Sequence, residues 1–416
     1  MSDDKPANDA VGKSVGAKLG FDVAKQWPAR GAARSAKDRA VQALVAGHTL
    51  IVGQSRSGKT ITARRIIEEI INWTQARVVI LDPNADFRFL NEVDPNLDRK
   101  IPENEFFADR WSVLGKEIEI ATPDGGAWGI KWGELSKREM AAFLGLTGTD
   151  DFGEYSHFDR HYKYQEKDNG FSTLDAFKSS KYFETRPSGE DEDLERYRLR
   201  LENVAQLGVW WKIGTDKDLD SLFEGTNRAV VVDLSKDDQQ VRMITAARTL
   251  EALWRQGEKR RKAFLESGTG AWPGTLVVID EGHVFAPPAP EGPQKRLVCE
   301  RIQRFADQGK KLNLYLMVVT QQPGKLHRDV LSEFNNRIIL RVNERRSLKV
   351  LEETYGGFRG RYDGALTFEQ GEALVEGALL CDEDPPPAAP RGVQFEKSRS
   401  KEGGGTPKPD WALPRE

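Results

Sequence analysis

The sequence predicts an α/β fold: a mainly parallel central sheet flanked by helices, with one mostly helical insertion. Three observations predict it. Apolar runs of strand length recur as "HTLIVGQ", "RVVILDP", "RAVVVDLS", "TLVVIDE", "NLYLMVVTQ" and "NRIILRV", and they are continuous rather than alternating, as strands covered on both faces require. Helical patterns separate them, over Thr60 to Trp73 and over Gln239 to Phe264, where Val241, Ile244, Leu250, Leu253 and Trp254 share one side. Finally, the first apolar run breaks into glycine, serine and lysine just where the first helical pattern begins.

Around this core the chain divides by composition. Residues 1–37 are polar, rich in glycine and alanine, and lack a sustained apolar period, so they read as a flexible arm. Residues 38–381 hold the folded domain, and 38% hydrophobic content over 416 residues is enough for a substantial core. From about Phe89 to Gly225 the pattern is less regular. Its opening, "WSVLGKEIEIATPDGGAWGIKWGELSKREMAAFLGL", predicts a small strand pair followed by a helix from Ser136, with Glu139 three residues on as a capping box. The polar and aromatic stretch 147–205 reads as a helical insertion or lid. Residues 382–416, rich in proline, glycine and charge, read as a disordered tail or one that orders only by wrapping a partner.

Bulk properties exclude several classes. No run approaches the roughly 18 apolar residues of a membrane span, and the first twenty residues lack a signal-peptide centre. Cys299 and Cys381 are too few for a disulfide scaffold or zinc knuckle. The expectation is a cytoplasmic protein. A net charge of -3 argues against a surface basic all over, while leaving room for a positive channel that binds nucleic acid.

The glycine-lysine loop carries the chemistry. Gly53, Gly58, Lys59 and Thr60 satisfy G-x-x-x-x-G-K-[ST], which aims successive backbone N–H groups at phosphate oxygens; Ser55, Ser57 and Ile61 complete the nucleotide-facing set. Lys59 adds charge near the β and γ phosphates, Thr60 offers its hydroxyl to Mg2+, and the helix starting there points its positive end at the anion. A second segment, "GTLVVIDEGHVFAP", ends a strand in Asp280, placed to hold the magnesium, and Glu281, placed to polarise a water for attack on the γ phosphate. His283 then reads as a polar neighbour. In "NLYLMVVTQQPGKL", Gln321 closes a strand where it either senses the γ phosphate or caps the next turn. No Asn-Lys-x-Asp segment reads guanine, so ATP is the expected nucleotide. Arg337 and Arg341, around the last core strand, are the candidates for a cation delivered to the transition state. His157 and His161, at helical spacing in "YSHFDRHYKY", read as a solvated helix face rather than a metal site.

In this order the motifs resemble the HerA/FtsK superfamily, and more closely its HerA-like branch. The resemblance rests on "GQSRSGKT", "ILDPNADF" with Asp82 and Asp86, "WGELSKREMAAFLGL", "VVIDEGHVFAP", "RIQRFADQGKKLNLYLMVVTQQP" and "LSEFNNRIILRV", and covers about residues 45–381. It implies a RecA-like P-loop NTPase core, with the phosphate-loop strand beside the sensor strand, and a homohexamer with ATP bound between subunits. It further implies a motor that translocates or unwinds double-stranded DNA with a partner nuclease or effector. An assembly ATPase in an antiphage defence complex, and a packaging or plasmid-transfer motor, are the alternatives. The roles implied are Lys59 and Thr60 on phosphate and magnesium, Asp280 on magnesium, Glu281 on the lytic water, Gln321 as sensor and Arg341 or Arg337 as the arginine finger. Arg304, Gly309, Lys310 and Lys311 match the family's basic helix at the subunit junction or pore; "GGAWGIKW" is a second pore candidate. The sequence departs from the family in lacking room for an N-terminal β-barrel before the phosphate loop, and in reading "TQQP" where arginine is commoner third.

Overall fold

All six apolar runs become strands of one sheet in the computed structural model, which describes residues 47–122, 128–167, 173–184, 191–212, 217–236, 238–268, 274–356, 359–377 and 390–403. The strands are β1 His48–Val52, β2 Arg77–Asp82, β3 Ile118–Ala121, β4 Trp128–Gly129, β5 Lys217–Asp218, β6 Ala229–Asp233, β7 Thr275–Ile279, β8 Leu314–Thr320, β9 Phe334–Leu340, β10 Glu372–Glu376 and β11 Arg391–Gln394. Nine of them form the order β11-β10-β9-β1-β8-β7-β2-β6-β3. From β9 to β3 every pairing is parallel, while β10 and β11 add antiparallel to the β9 edge.

Burial on both faces explains the continuous apolar runs. Ile51, Ile80, Val231, Val278, Val319 and Ile338 point to one face, covered by helices α1 (Lys59–Trp73) and α2 (Pro102–Leu114). Val52, Leu81, Val232, Ile279, Val318 and Ile339 point to the other. There the sheet is covered by α3 (Lys137–Phe143), the insertion helices α4 (Phe152–Lys167), α5 (Leu174–Lys178) and α6 (Glu192–Ala205), and two long helices, α7 (Gln239–Ser267) and α8 (Pro293–Gln308). Each such side chain taken out of water contributes about 2 kcal/mol. The expected capping box is present: Ser136 Oγ accepts from Glu139 N and the Glu139 carboxylate from Ser136 N at 2.8 Å. Among the described residues no helix is long and apolar enough to cross a membrane.

Four expectations are corrected. The strand pair does not form locally: β3 joins the main sheet beside β6, and Trp128–Gly129 pairs instead with Lys217–Asp218. Residues 125–127 of the pore candidate lie outside the described residues; Trp128 and Trp132 are buried in the core, and Lys131 pairs with Asp218 at 2.7 Å. In the C-terminal segment, residues 391–403 do not wait for a partner. β11 extends the sheet, Val393 and Phe395 enter the core, and Ser400 is fully buried. The arm at 1–37, Cys381 and the remainder of the tail lie outside the described residues, apart from Pro390.

The last correction concerns the histidines. His157 and His161 are buried, because α4, α5 and α6 form an aromatic core of their own. His161 stacks on Phe177 at 4.0 Å and Tyr182 at 4.7 Å, and its ring nitrogens bond Tyr197 OH at 2.8 Å and Ser180 Oγ at 2.7 Å. His157 bonds Tyr182 OH and the Asp191 carboxylate. Polar, aromatic sequence hid this core, since its histidine and tyrosine rings carry polar atoms that find partners within it. His161→Ala should cost about 3 kcal/mol in denaturant unfolding, with the metal content of the purified protein unchanged by mass spectrometry.

Candidate active site

The parallel register places the site. Val52, the last residue of β1, lies opposite Thr320 of β8 and Ile339 of β9, so the loop that follows leaves the sheet between two strand ends. Gly53 N–H donates to the Thr320 carbonyl (3.3 Å) and Gln54 N–H to the Arg341 carbonyl (2.9 Å), which fixes the loop's base. Gly58 then takes φ 98°, a left-handed conformation that a side chain would strain, and turns the chain into α1. A Cβ on Gly53 would overlap Ser57 Oγ.

Inside this loop polar atoms are buried without partners. Ser57 Oγ and Gln54 Oε1 lack any hydrogen bond. Lys59 is buried, and its ammonium donates only to the Gln54 carbonyl, at 3.2 Å. Burial lowers its pKa, opposed by the charges of Glu281, Asp280 and Asp86. The Ser57 hydroxyl and the Lys59 ammonium, both donors, cost free energy unless an anion meets them. The cradle therefore fits a phosphate chain.

Carboxylates face it. Asp280, just past β7, is 1% exposed, and its N–H bonds the Leu81 carbonyl, tying it to the end of β2. Desolvation, then the charges of Glu281, Asp82 and Asp86, push its pKa well above the usual carboxylate range. Asp82 is pushed up to about 6, mainly by burial, although three backbone N–H groups, of Asn84, Asp86 and Phe87, donate to it. Asn84 Nδ2 approaches Asp280 Oδ2 at 3.4 Å. Burial raises the pKa of Asp86, opposed by the charge of Arg64. Buried acids held this close favour a bound cation. Among the described residues no three His, Cys, Asp or Glu side chains form a metal site by themselves, so a divalent ion here would complete its shell with hydroxyl, water or phosphate oxygens. Magnesium fits: Thr60 and Asp280 would hold it.

Glu281 follows Asp280 with φ 47°, a left-handed backbone that turns its side chain back toward the loop. Gln321 Nε2 donates to Glu281 Oε1 at 2.6 Å, and His283 Nδ1 lies 3.4 Å from Oε2 and 3.2 Å from Thr320 Oγ1. Sequence reasoning named Gln321 and Glu281 separately; the fold joins them. It missed the place of Asp86, whose signal was an acid four residues beyond the Asp82 that ends a strand.

The two arginines separate. Arg341 stands beside the loop base, its Nε buried without a hydrogen-bond partner. Arg337 is committed elsewhere: it pairs with Glu376 at 2.8 Å, donates to the Phe334 carbonyl, and stacks 4.2 Å over Tyr355. Arg304 likewise pairs with Glu251 and covers Trp254. Lys310 and Lys311 precede β8 and so sit at the sheet's amino-terminal edge, opposite the nucleotide loop, with Lys310 bonded to Asn335 Oδ1.

A parallel sheet of this order, with a phosphate-cradling loop after β1 and two acids after β7, defines a RecA-like P-loop ATPase. The family model described as helicase HerA, central domain, matches residues 40–252, and the chain belongs to that family. The match ends before β7, so Asp280, Glu281 and Gln321 rest on geometry. The DNA double-strand break repair helicase HerA of Pyrococcus furiosus is 25% identical, over 88% of this chain and 68% of its own length. Its counterpart in Sulfurisphaera tokodaii is 23% identical, over 80% of this chain and 63% of its own. Two solved structures share the fold. VirB4 of Thermoanaerobacter pseudethanolicus has TM-score 0.53, 15% identity, and coverage of 84% of this chain and 89% of its own. The plasmid coupling protein TrwB with the ATP analogue ADPNP has TM-score 0.55, 14% identity, and coverage of 85% and 86%.

Two outcomes test this geometry. Asp280 holds its proton more tightly folded than unfolded, so its contribution to stability is present at low pH and lost as pH rises from its ordinary value near 4. In nucleotide-free protein, Asp280→Asn should therefore raise the melting temperature at pH 8, with the gain shrinking toward pH 4. Arg337→Ala should cost about 2 kcal/mol of stability through its broken pair with Glu376, read by chemical denaturation, with nucleotide affinity unchanged.

Proposed function

We propose that this chain hydrolyses ATP as a subunit of a homohexameric ring that moves along double-stranded DNA, together with a nuclease or other effector. The observation that carries the hydrolytic part is the Glu281 carboxylate at the end of β7, bonded to Gln321 across β8 and charge-coupled to Lys59. The backbone N–H groups of Gly58, Lys59 and Thr60 take the phosphates, with Ser55, Ser57 and Ile61 lining the cradle, and Lys59 steadies their charge. Thr60 and Asp280 hold the magnesium, which when bound neutralises charge on the β and γ oxygens. Glu281 orients a water and accepts its proton as it attacks the γ phosphorus in line. Gln321, already on Glu281, is the side chain that would register the γ phosphate. Of the two arginines, Arg341 is the one left for the transition state.

The DNA and ring parts rest on kinship: the Pyrococcus and Sulfurisphaera relatives carry the name of DNA double-strand break repair helicases. Lys310 and Lys311, at the edge opposite the nucleotide loop, are the lysines proposed to meet DNA phosphates. Turnover should rise with added duplex DNA. Glu281→Gln should retain ATP binding while losing about a thousandfold in turnover, measured by phosphate release. Light scattering at hexamer mass supports the ring; a monomer active without DNA overturns the motor reading.

A further inference from the structure

Helix α7 is longer than the sheet it covers. Its 29 residues reach about 43 Å, while the five residues of β7, which follows it, span about 17 Å. Burial along α7 stops at Gly257, so the helix runs on for residues 258–267, about 15 Å, with no buried side chain, toward the edge where β7 begins. Four consecutive cations, Lys259, Arg260, Arg261 and Lys262, occupy this stretch. Among the described residues the first three have no ion pair, and Lys262 meets only Glu266, at 3.8 Å. Complementing the helix dipole does not account for them, because that effect is confined to the last turn, which holds no basic residue.

A second basic segment stands beside the first. Gly257 lets α7 approach the turn Gly309–Leu312 closely: a Cβ there would lie 3.0 Å from Leu312 Cβ. Lys311, exposed on that turn, faces Arg261 and Lys262 across a groove of about 490 Å3, over Trp254 and Leu312. Arg260 lies one turn past Gln256, whose Oε1 stands 3.5 Å from Nη1 of Arg77, the first residue of β2. Arg77 is itself buried, and its Nη2 has no acceptor. In residues 258–267 and 307–312 six basic side chains stand against three acids, Glu258, Glu266 and Asp307, although the net charge of the chain is -3. The positive excess is therefore local. Exposed cations spread around a helix suit a polyanion of regularly repeating charge, since each contact releases counterions without a fixed partner geometry; duplex DNA, with one phosphate per about 1.7 Å of axis, is denser in charge than an acidic protein surface.

We propose that residues 259–262 of α7, together with Lys310 and Lys311, form the surface that holds the phosphate backbone of duplex DNA. This rests on the DNA reading above and adds the projecting end of α7 to it. The test is fluorescence anisotropy of a labelled duplex of arbitrary sequence with the full chain, over a series of salt concentrations. Lys259→Gln, Arg261→Gln and Lys262→Gln combined, all at exposed positions, should weaken binding about tenfold at low salt and flatten the slope of log affinity against log salt by about 2 to 3, with melting temperature and affinity for a fluorescent ADP unchanged. Lys311→Gln alone should flatten it by about 1. A control with Lys100→Gln, Lys163→Gln and Lys349→Gln removes equal charge from exposed positions elsewhere and should leave the slope as it is. An unchanged slope in the first variant, or an equal loss in the control, overturns the surface. Polyglutamate that displaces the duplex as completely as unlabelled DNA does at equal charge makes this a surface for an acidic protein and overturns the assignment to DNA. Wild-type protein that binds no duplex even at low salt overturns the DNA reading itself.

Discussion

Like charges crowded out of water at one edge of a parallel sheet are the constraint on which the rest of the molecule depends. Asp280, Asp82, Asp86 and Glu281 converge there, and burial with mutual repulsion raises the pKa of the first three. Lys59, the nearest cation, is itself penalised by desolvation. Burial and mutual repulsion disfavour the charged forms of these groups, so the folded core gives up stability to hold them together at an edge whose chemistry suits a phosphate chain with a divalent cation.

The remainder of the fold explains how such a site survives. Two faces of apolar packing, with α1 and α2 on one side and the long helices and insertion on the other, fix the strand ends from which the acids and the loop project. Because β8 lies between β1 and β7, Gln321 stands between the loop and Glu281 and touches the latter. Strand order, not proximity along the chain, makes this contact. The left-handed backbone at Glu281 is the local strain accepted to turn a carboxylate back over the sheet edge.

Away from the phosphate loop, several buried charges are paired and serve to join segments. Glu376 is held by Arg337, Arg361 and Tyr362, so that β9, β10 and the turn before β10 are locked together; burial would raise its pKa, but these partners bring it below the ordinary value. Arg301 and Arg248 reach Glu139 in the same way, binding α8 and α7 to the capping box of α3. These clusters differ from the acids after β2 and β7 in one respect that decides function: their charges are matched.

Much was legible in the sequence. Continuous Val/Ile/Leu runs announced six parallel strands, because a strand buried on both faces tolerates no polar alternation, and the Gly-Lys-Thr turn announced its ligand because few other residues can form it. The acids closing "VVIDE" were visible as the polar end of an apolar run. Tertiary structure alone decided the rest. Arg337 and Arg341 are four residues apart in one strand pattern, yet one is bound to Glu376 and the other stands at the loop base, since the neighbours of a strand come from distant chain segments. His157 and His161 looked solvated until Asp191, Ser180 and Tyr197 supplied carboxylate and hydroxyl partners. The C-terminal residues looked unstructured because polarity predicts exposure only when no buried partner exists; Arg64 and Glu68, more than 300 positions away, are those partners. Local pattern determines which elements form and which loop binds phosphate, whereas the pairing of buried charges depends on which strands become neighbours, and that is settled only when the whole sheet closes around its core.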